Sequence, residues 1–470
     1  MTHVPVSGLG VPAAGAAERI AAWASALSAA DIPGPVLAIA TSCLVDTVGV
    51  AVAGTATAVA AIARDVAALS TVVGPSRLIG RDERMAAPAA AFVNGTAAHA
   101  LDFDDNCYAG VVHGSAVIVP AVLAVAEMAD VSGQDLLVAI VAGSEAEYAV
   151  GAAAGLSLYE RGWWTTGVLG PLGAAVAAGR ALGLDTSQMT AAIAIAMAGT
   201  GGAKACFGTD AKPLLCGRAA EAGVVAALLA RAGATGPGDV FEHPRGFAGL
   251  MNGGLFDASE VASLGRVWRL QQPGIDVKRI PVCLSSHAAV DAVQDLVAEH
   301  GIVPADIARI ACDVPPVVVA NLVHDDPRTP QQAQFSMPFA ISASLLFGRI
   351  ALSHLRYEVI DDPTLITFMQ RVSMETGARW AQPGAVTAAP EGAHVTIELR
   401  DGRRFASLRA FPRGSAAFPL NASDLDAKFT ACAGPVLGEA PARSLLGRLR
   451  GVNTARTARA VLGGPHADPL

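Results

Sequence analysis

From Ala16 to about Leu264 the chain is a succession of Ala-rich stretches that are apolar on nearly every helical face, and this limits the fold more than any single motif. Apolar residues recur at spacings of three and four in "AERIAAWASALSAADI", "VLAIATSCLVDTVGVAVAG", "AVIVPAVLAVAEMA" and "GQDLLVAIVAGSEAEYAVGAAAG". The same spacing continues in "GVLGPLGAAVAAGRALGL", "SQMTAAIAIAMAGTGG" and "GRAAEAGVVAALLARAG", with Gly and Pro between the segments. A helix with one apolar stripe covers the side of a core, whereas a helix apolar all round has to lie inside one. Small side chains let such helices approach closely. The pattern predicts a multi-layered, all-helical domain over residues 1–269.

The texture changes after Arg269. "ADIARIACDVPPVVVANLV" holds a β-branched run, and "AHVTIELRDGRRFASLRAF" alternates apolar and polar residues around an Asp-Gly turn, the pattern of a hairpin. Helical text intervenes in "SSHAAVDAVQDLVAEH" and "QFSMPFAISASLLFGRI". A smaller α+β domain is expected over 270–415. The segment 416–470 is helical again in "NASDLDAKFTACAGPVL", where Ser423 before Asp424 reads as a cap, and it is expected to return to the helical domain. The fold class is therefore mainly α, a large helical domain with a smaller α+β lid. The last few residues are expected to be disordered.

Composition narrows the function. Hydrophobic residues are 52% and charged residues 16% of the 470, which excludes a disordered chain. The net charge of -8 comes with no concentrated basic patch, so no nucleic-acid partner is expected. Apolar runs such as "SAVIVPAVLAVAEMAD" are broken by Pro, Gly or a charge before the roughly 18 residues a membrane span needs, and no membrane partner is expected. The first residues lack a basic stretch followed by an apolar block, so no signal peptide is expected. Seven cysteines, an odd number without a C-x-x-C pair, fit free thiols in a reducing cytoplasm.

Polarity is concentrated in "ALDFDDNCYAGVVHGSA". Asp102, Asp104 and Asp105 can mark a solvated helix end, a cation site such as one for Mg²⁺, or part of an acid/base pocket. Asp102 and Asp105, three apart, are expected to share a helix face whose terminal dipole disfavours them, so that a neighbouring cation is called for. "DFDD" also matches the D-x-D-D acid of cation-initiating cyclases, which need aromatic faces, yet aromatics are 5% here. His113 stands before an apolar helix, where the positive helix end favours a neutral, proton-accepting imidazole. Lys204 and Lys212 are the only lysines before Arg269. Lys212 is read on a loop feeding a helix, placed to bind a carboxylate or stabilise an enolate. His287, after two serines, repeats the local setting of His113. "LYERGWWTTGVLG" sets Arg161 and two tryptophans before a helix start, a place for an anion or simply a packed loop.

In this order, "CLVDTVGVAVAG", "NGTAAHALDFDDNCYAGVVHGSA", "YERGWWTTGVLG", "GTDAKPLLCGRAAEAGVVAALLARAG", "HPRGFAGL", "KRIPVCLSSHAAVDA" and "FSMPFAISASLLFGRI" resemble the MmgE/PrpD family. Its members include 2-methylcitrate dehydratase, cis-aconitate decarboxylase and iminodisuccinate epimerase. The resemblance implies a helical domain with an α+β lid, a site between them, a homodimer, a small carboxylate substrate, and no obligatory metal or organic cofactor. It implies catalytic roles for Asp102, His113, Lys212 and His287, with Asn106, Cys107, Trp164, Thr165 and Ser286 against the substrate. Asn106 stands where the family has threonine, and Cys107 where a histidine is common. Trp164 stands where a histidine follows the first Trp, with Thr165 in place of proline. Trp can neither take up a proton nor bear a charge, and offers one N–H donor. Its presence implies a substrate with fewer carboxylates or a larger apolar portion than 2-methylcitrate or cis-aconitate.

The activity expected is cofactor-independent proton transfer at carbon next to a carboxylate or carbonyl, by a lyase or isomerase of the dehydratase, decarboxylase or epimerase type. Lys212 would stabilise the enolate, with His113 and His287 as base and acid from opposite walls. Asp102 would orient them, while Asn106 and Thr165 would bond substrate oxygen. A catalytically inactive paralogue that binds a metabolite is the alternative, and the D-x-D-D cyclase a further one.

Overall fold

The computed structural model describes residues 14–463, and the terminal residues expected to lack order lie outside that span. It is mainly helical with a small mixed sheet near the C-terminal end. The helical body is built from α1 (Ala16–Ala26), α2 (Gly34–Gly54), α3 (Ala58–Ala68), α4 (Ala87–His99), α5 (Gly114–Ala129), α6 (Gly133–Ala154), α7 (Leu156–Glu160), α8 (Thr165–Ala181), α9 (Thr186–Ala198) and α10 (Ala211–Arg231). A two-stranded ribbon, β1 (Ser76–Arg77) with β2 (Arg84–Met85), links α3 to α4.

The core of this body is layered because its central helices have no polar face to give to water. In α5 every residue from Gly114 to Glu127 is buried, and in α8 nearly all are. Small residues set the spacing. A Cβ on Gly217 of α10 would lie 2.2 Å from Thr96 Oγ1 and 2.3 Å from Phe92 O of α4. One on Gly223 would lie 2.3 Å from the Ala174 Cβ of α8. Helices α2, α6 and α10 have the length and hydropathy of membrane spans, contrary to the expectation that every apolar run is too short. Their apolar windows are 72%, 94% and 56% buried within the chain. Protein thus covers most of that surface in α2 and α6, and about half of it in α10.

The lid has its own core around the helices His287–His300 and Met337–Leu346 and a sheet in the order β4-β3-β5-β6. β3 (Ile307–Asp313) pairs parallel with β4 (Val372–Glu375) and antiparallel with β5 (Ala393–Leu399), which forms the Asp-Gly hairpin with β6 (Arg404–Arg409). The β-branched run after Pro315 is not strand: Pro316–Asn321 is a short helix, since Pro at its first position pre-sets helical φ. The C-terminal helix Ala422–Leu437 packs on α2 through Leu425 and Phe429. Its cap is Asn421, whose side chain accepts from the Asp424 amide at 2.9 Å, rather than Ser423.

The close helix crossings make Gly217→Ala destabilising by about 1–3 kcal/mol through overpacking, whereas Gly447→Ala, on an exposed helix face with nothing within 4 Å of its Cβ, gains up to about 1 kcal/mol of helix propensity. Urea unfolding midpoints with unchanged slopes check both.

Candidate active site

Helix α4 ends at His99, and residues 100–113 run irregularly to α5. Asp102 (φ 47°) and Val111 (φ 54°) occupy left-handed backbone that non-Gly residues seldom adopt. The three aspartates therefore share no helix face, contrary to expectation. Each turns to a different partner, and all three are buried.

Asp102 receives the cations its position called for. Lys212 bonds Asp102 Oδ1, and Lys278 donates to Asp102 Oδ2 at 2.8 Å and to its backbone oxygen at 2.7 Å. Burial alone would raise this carboxyl, but Lys212 and Lys278 outweigh burial and hold it below the usual range. Lys212 lies in the first turn of α10, not on a loop, with Phe335, Phe207 and Trp164 rings 5.0, 5.3 and 5.6 Å from its ammonium. Few aromatics serve the whole chain, and three meet at this one cation.

Asp104 holds two imidazoles. His99 Nδ1 lies 2.8 Å and His113 Nδ1 3.2 Å from Asp104 Oδ2. His113 Nδ1 also bonds the Asp105 carbonyl at 2.8 Å, and Thr166 Oγ1 accepts from its amide at 2.9 Å. A carbonyl only accepts, so Nδ1 carries a proton, and the tautomer of the neutral ring is the one with its lone pair on Nε2. Burial pushes His99 down to about 4, so it is neutral. Burial opposes ionisation of Asp104, but the two imidazoles more than offset it and hold the carboxyl well below its ordinary value. Asp104 is thus neither free nor protonated, which removes the D-x-D-D acid reading. His99, Asp104 and His113 place ligand-type atoms within 4.8 Å of one another. Those atoms already satisfy one another, so the cluster needs no ion.

The lid closes over this floor. Asp102, Asn106, His113, Trp164 and Lys212 line a cavity with Tyr159, Phe207, Lys278, Cys283, Ser285, Asn321, Phe335 and Glu391. Its free volume is about 40 Å³, well below the ~150 Å³ that holds a benzene-sized ligand. The lid has to move to admit a substrate. On the lid wall Glu391 accepts from Tyr108 Oη (2.6 Å), Ser285 Oγ (2.7 Å) and Asn321 Nδ2 (3.4 Å). Tyr159 Oη donates to Asn321 Oδ1 at 2.7 Å.

Four expected residues lie away from the cavity. His287 is buried, its Nε2 donating to Val282 O at 3.1 Å, and burial pushes it down to about 3. It ties down the turn before its helix, as a neutral group. Ser286 Oγ donates to Cys283 O at 2.9 Å, so Ser285 is the serine that faces the cavity. Cys107 is buried in a backbone bridge with Val112. Thr165 Oγ1 donates to Val111 O at 2.5 Å and fastens the loop. Trp164 lines the cavity and stacks on His99 with ring centroids 5.4 Å apart. Arg161 is exposed.

Lys278 and Glu391 are the charged residues that motif reading missed. One signal for Lys278 was present, since the chain has only four lysines, Lys204, Lys212, Lys278 and Lys428. Lys428 pairs with Asp46 at 2.7 Å and donates to Phe103 O at 2.8 Å. Lys204 sits 3.4 Å over the Tyr159 ring. All four meet the loop after α4 or residues that line the cavity with it. Nothing local marks Glu391.

Residues 18–257 match the MmgE/PrpD N-terminal domain and residues 280–447 the MmgE/PrpD C-terminal domain. The chain belongs to the MmgE/PrpD family. It is 31% identical over 421 residues to human cis-aconitate decarboxylase, covering 86% of this chain and 84% of that protein. It is 30% identical over 419 residues to the mouse cis-aconitate decarboxylase (86% and 83%), and 28% identical over 416 residues to the cis-aconitate decarboxylase-like protein oryM of Aspergillus oryzae (83% and 85%). The protein is thus an MmgE/PrpD enzyme related to cis-aconitate decarboxylase.

Behind the site of this MmgE/PrpD protein, burial raises Asp105, Glu145 and Asp276 to about 7 and Glu147 to about 8. Unfolded, such carboxyls release their protons near pH 4. Between those values the folded chain binds more protons, so their contribution is full below about pH 4, is lost progressively as pH rises from there, and is gone above the folded values of 7–8. Neither Glu147 oxygen has a bonding partner. Thermal midpoints are expected to fall as pH is raised from about 5 to 8 and to level off above that, and Glu147→Gln to flatten the fall. Melting curves across this range check it.

Proposed function

We propose that this protein is a lyase or isomerase that moves a proton at carbon next to a carboxylate or carbonyl of a small organic acid, using its own side chains. The single observation that carries the reading is the pairing of His113 with Lys212. His113 lines the cavity with its Nδ1 proton fixed by a backbone carbonyl, and Lys212 brings a buried ammonium to the same space.

His113 Nε2 accepts the proton from the substrate carbon. The electron pair moves onto the adjacent carbonyl or carboxylate oxygen, where negative charge grows. An ammonium has three donors. Lys278 uses two on Asp102, and Lys212 uses one, which leaves Lys212 with N–H groups for the developing oxyanion. Lys278 balances Asp102 and fixes its position. From the enolate, expulsion of a β-substituent or return of a proton completes an elimination or an epimerisation. In the decarboxylase variant, loss of CO₂ generates the same charge, and His113, having first taken a proton from solvent, delivers it to the carbanion. Closure of the lid excludes water and strengthens these electrostatic contacts. Asp104 acts as a positioning residue by fixing the tautomer of His113.

Kinship with cis-aconitate decarboxylases supports the carboxy-lyase form, and Trp164 supports a substrate other than cis-aconitate. The seven free thiols support a reducing, cytoplasmic setting. The family resemblance supports a homodimer, with residues 1–269 and 270–415 as body and lid and 416–470 returning to the body.

Incubation with a panel of small organic acids in D₂O, read by proton NMR, tests the reading: a substrate shows exchange, elimination or CO₂ loss. Lys212→Ala and His113→Gln should each lower turnover by about 10²–10⁴-fold with folding intact by circular dichroism. Full turnover in either variant would remove that residue from the mechanism.

A further inference from the structure

The cavity is electrically balanced before any substrate enters. Lys212 and Lys278 face Asp102 and Glu391, and among the described residues no arginine lines the space. Both lysines bond the one carboxylate of Asp102, which leaves a single net positive charge at that wall. At the opposite wall Glu391 is buried without an ion-pair partner among the described residues. Its contacts are the neutral donors of Tyr108, Ser285 and Asn321. A carboxylate offers about four lone-pair sites, so the three protein donors leave room for one more from the cavity side. The site thus has an ammonium pole on the body and a carboxylate pole on the lid, with the Trp164, Phe335 and Phe207 rings around the Lys212 ammonium.

A tricarboxylate fits this arrangement badly. One carboxylate can meet Lys212, but another reaching the lid would meet Glu391, and like charges in a desolvated site repel strongly. The complementary molecule carries a carboxylate or carbonyl at one end and a hydrogen-bond donor at the other.

We infer that Glu391 sets substrate specificity, selecting acids that present an ammonium or hydroxyl group to the lid and rejecting polycarboxylates. The inference rests on the proton-transfer reading above and names its substrate class. A site built to accept from a substrate donor rejects the analogue lacking it far more sharply than an apolar wall does.

The test uses the full-length protein and matched acids in D₂O: 4-aminobutyrate and 4-hydroxybutyrate against succinate, 5-aminovalerate against glutarate, together with cis-aconitate and 2-methylcitrate. The expected result is α-deuteration or turnover of donor-ended acids at a KM at least ~10-fold below that of their carboxylate-ended partners. Glu391→Gln should raise KM for the ammonium-ended acids by ~10-fold or more, with kcat within about threefold, and lower KM for the dicarboxylates. Preference of the unmodified protein for polycarboxylates would overturn the inference while leaving the proton-transfer function standing, and that comparison needs no variant to fold. An unchanged preference in Glu391→Gln, with its melting temperature retained, would do the same. No reaction with any acid of the panel would overturn the proposed function and this inference with it.

Discussion

Everything at the site hangs on a buried carboxylate shared by two ammonium groups. Asp102 is buried, and Lys212 and Lys278 offset the burial that would otherwise neutralise it. Burial would lower Lys278, and Asp102 more than offsets it. Lys212 comes from the first turn of α10, Asp102 from the loop after α4, and Lys278 from the crossover to the lid. The same crossover pairs Asp276 with Asn106 through two backbone bonds of 2.9 and 2.8 Å. A third lysine, Lys428 of the C-terminal helix, holds Phe103. Three distant segments thus anchor two adjacent residues of one loop, which accounts for the left-handed backbone at Asp102: a strained turn persists when its surroundings over-determine it.

The neighbouring Asp104 solves a different problem with the same chemistry. It cannot reach a lysine, so it takes N–H donors from two imidazoles instead. The outcome for His113 is a fixed tautomer rather than a fixed charge. Adjacent carboxylates therefore divide the work, Asp102 arranging positive charge and Asp104 aiming a lone pair. Asp105, turned into the bundle and raised to about 7 by burial, does neither. Its backbone carbonyl is the useful part, because it receives the His113 proton.

The fold was legible because its cause is local. Helices apolar all round announce a layered core, and an Asp-Gly turn between alternating strands announces a hairpin. The body half of the site was legible too, since Asp102, Asn106, His113, Trp164 and Lys212 lie in distinctive strings. His287 shows the limit. Its preceding serines and following helix match the setting of His113, yet tertiary contacts give one ring a cavity and the other a carbonyl to hold. Lys278 was visible only as part of "KRIP", although its rarity in a chain of four lysines was a usable signal. Glu391 sits in a loop whose text is unremarkable. Its role comes from Tyr108, Ser285 and Asn321, which no spacing rule connects to it. The helix face drawn through Asp102 and Asp105 failed because α4 stops at His99, before either residue.

The two cores also divide motion from rigidity. Helix α10 meets α4 at a crossing with no space for a methyl group, so Lys212 and the loop after α4 are held by contacts that cannot slide. The lid residues that complete the cavity ride on a separate core, and Phe335 reaches the body by ring stacking on Phe207 at 5.5 Å. Stacked rings can part without leaving a buried charge unpaired, whereas separating Lys278 from Asp102 would strand two. An opening that keeps the crossover near Lys278 in place parts the Phe335 stack and the Tyr108–Glu391 and Tyr159–Asn321 hydrogen bonds, and strands neither Lys278 nor Asp102. Such a hinge exposes Lys212 and His113 together while the charges that define them stay assembled, so closing need only bring Glu391 and the aromatic wall onto a substrate already seated.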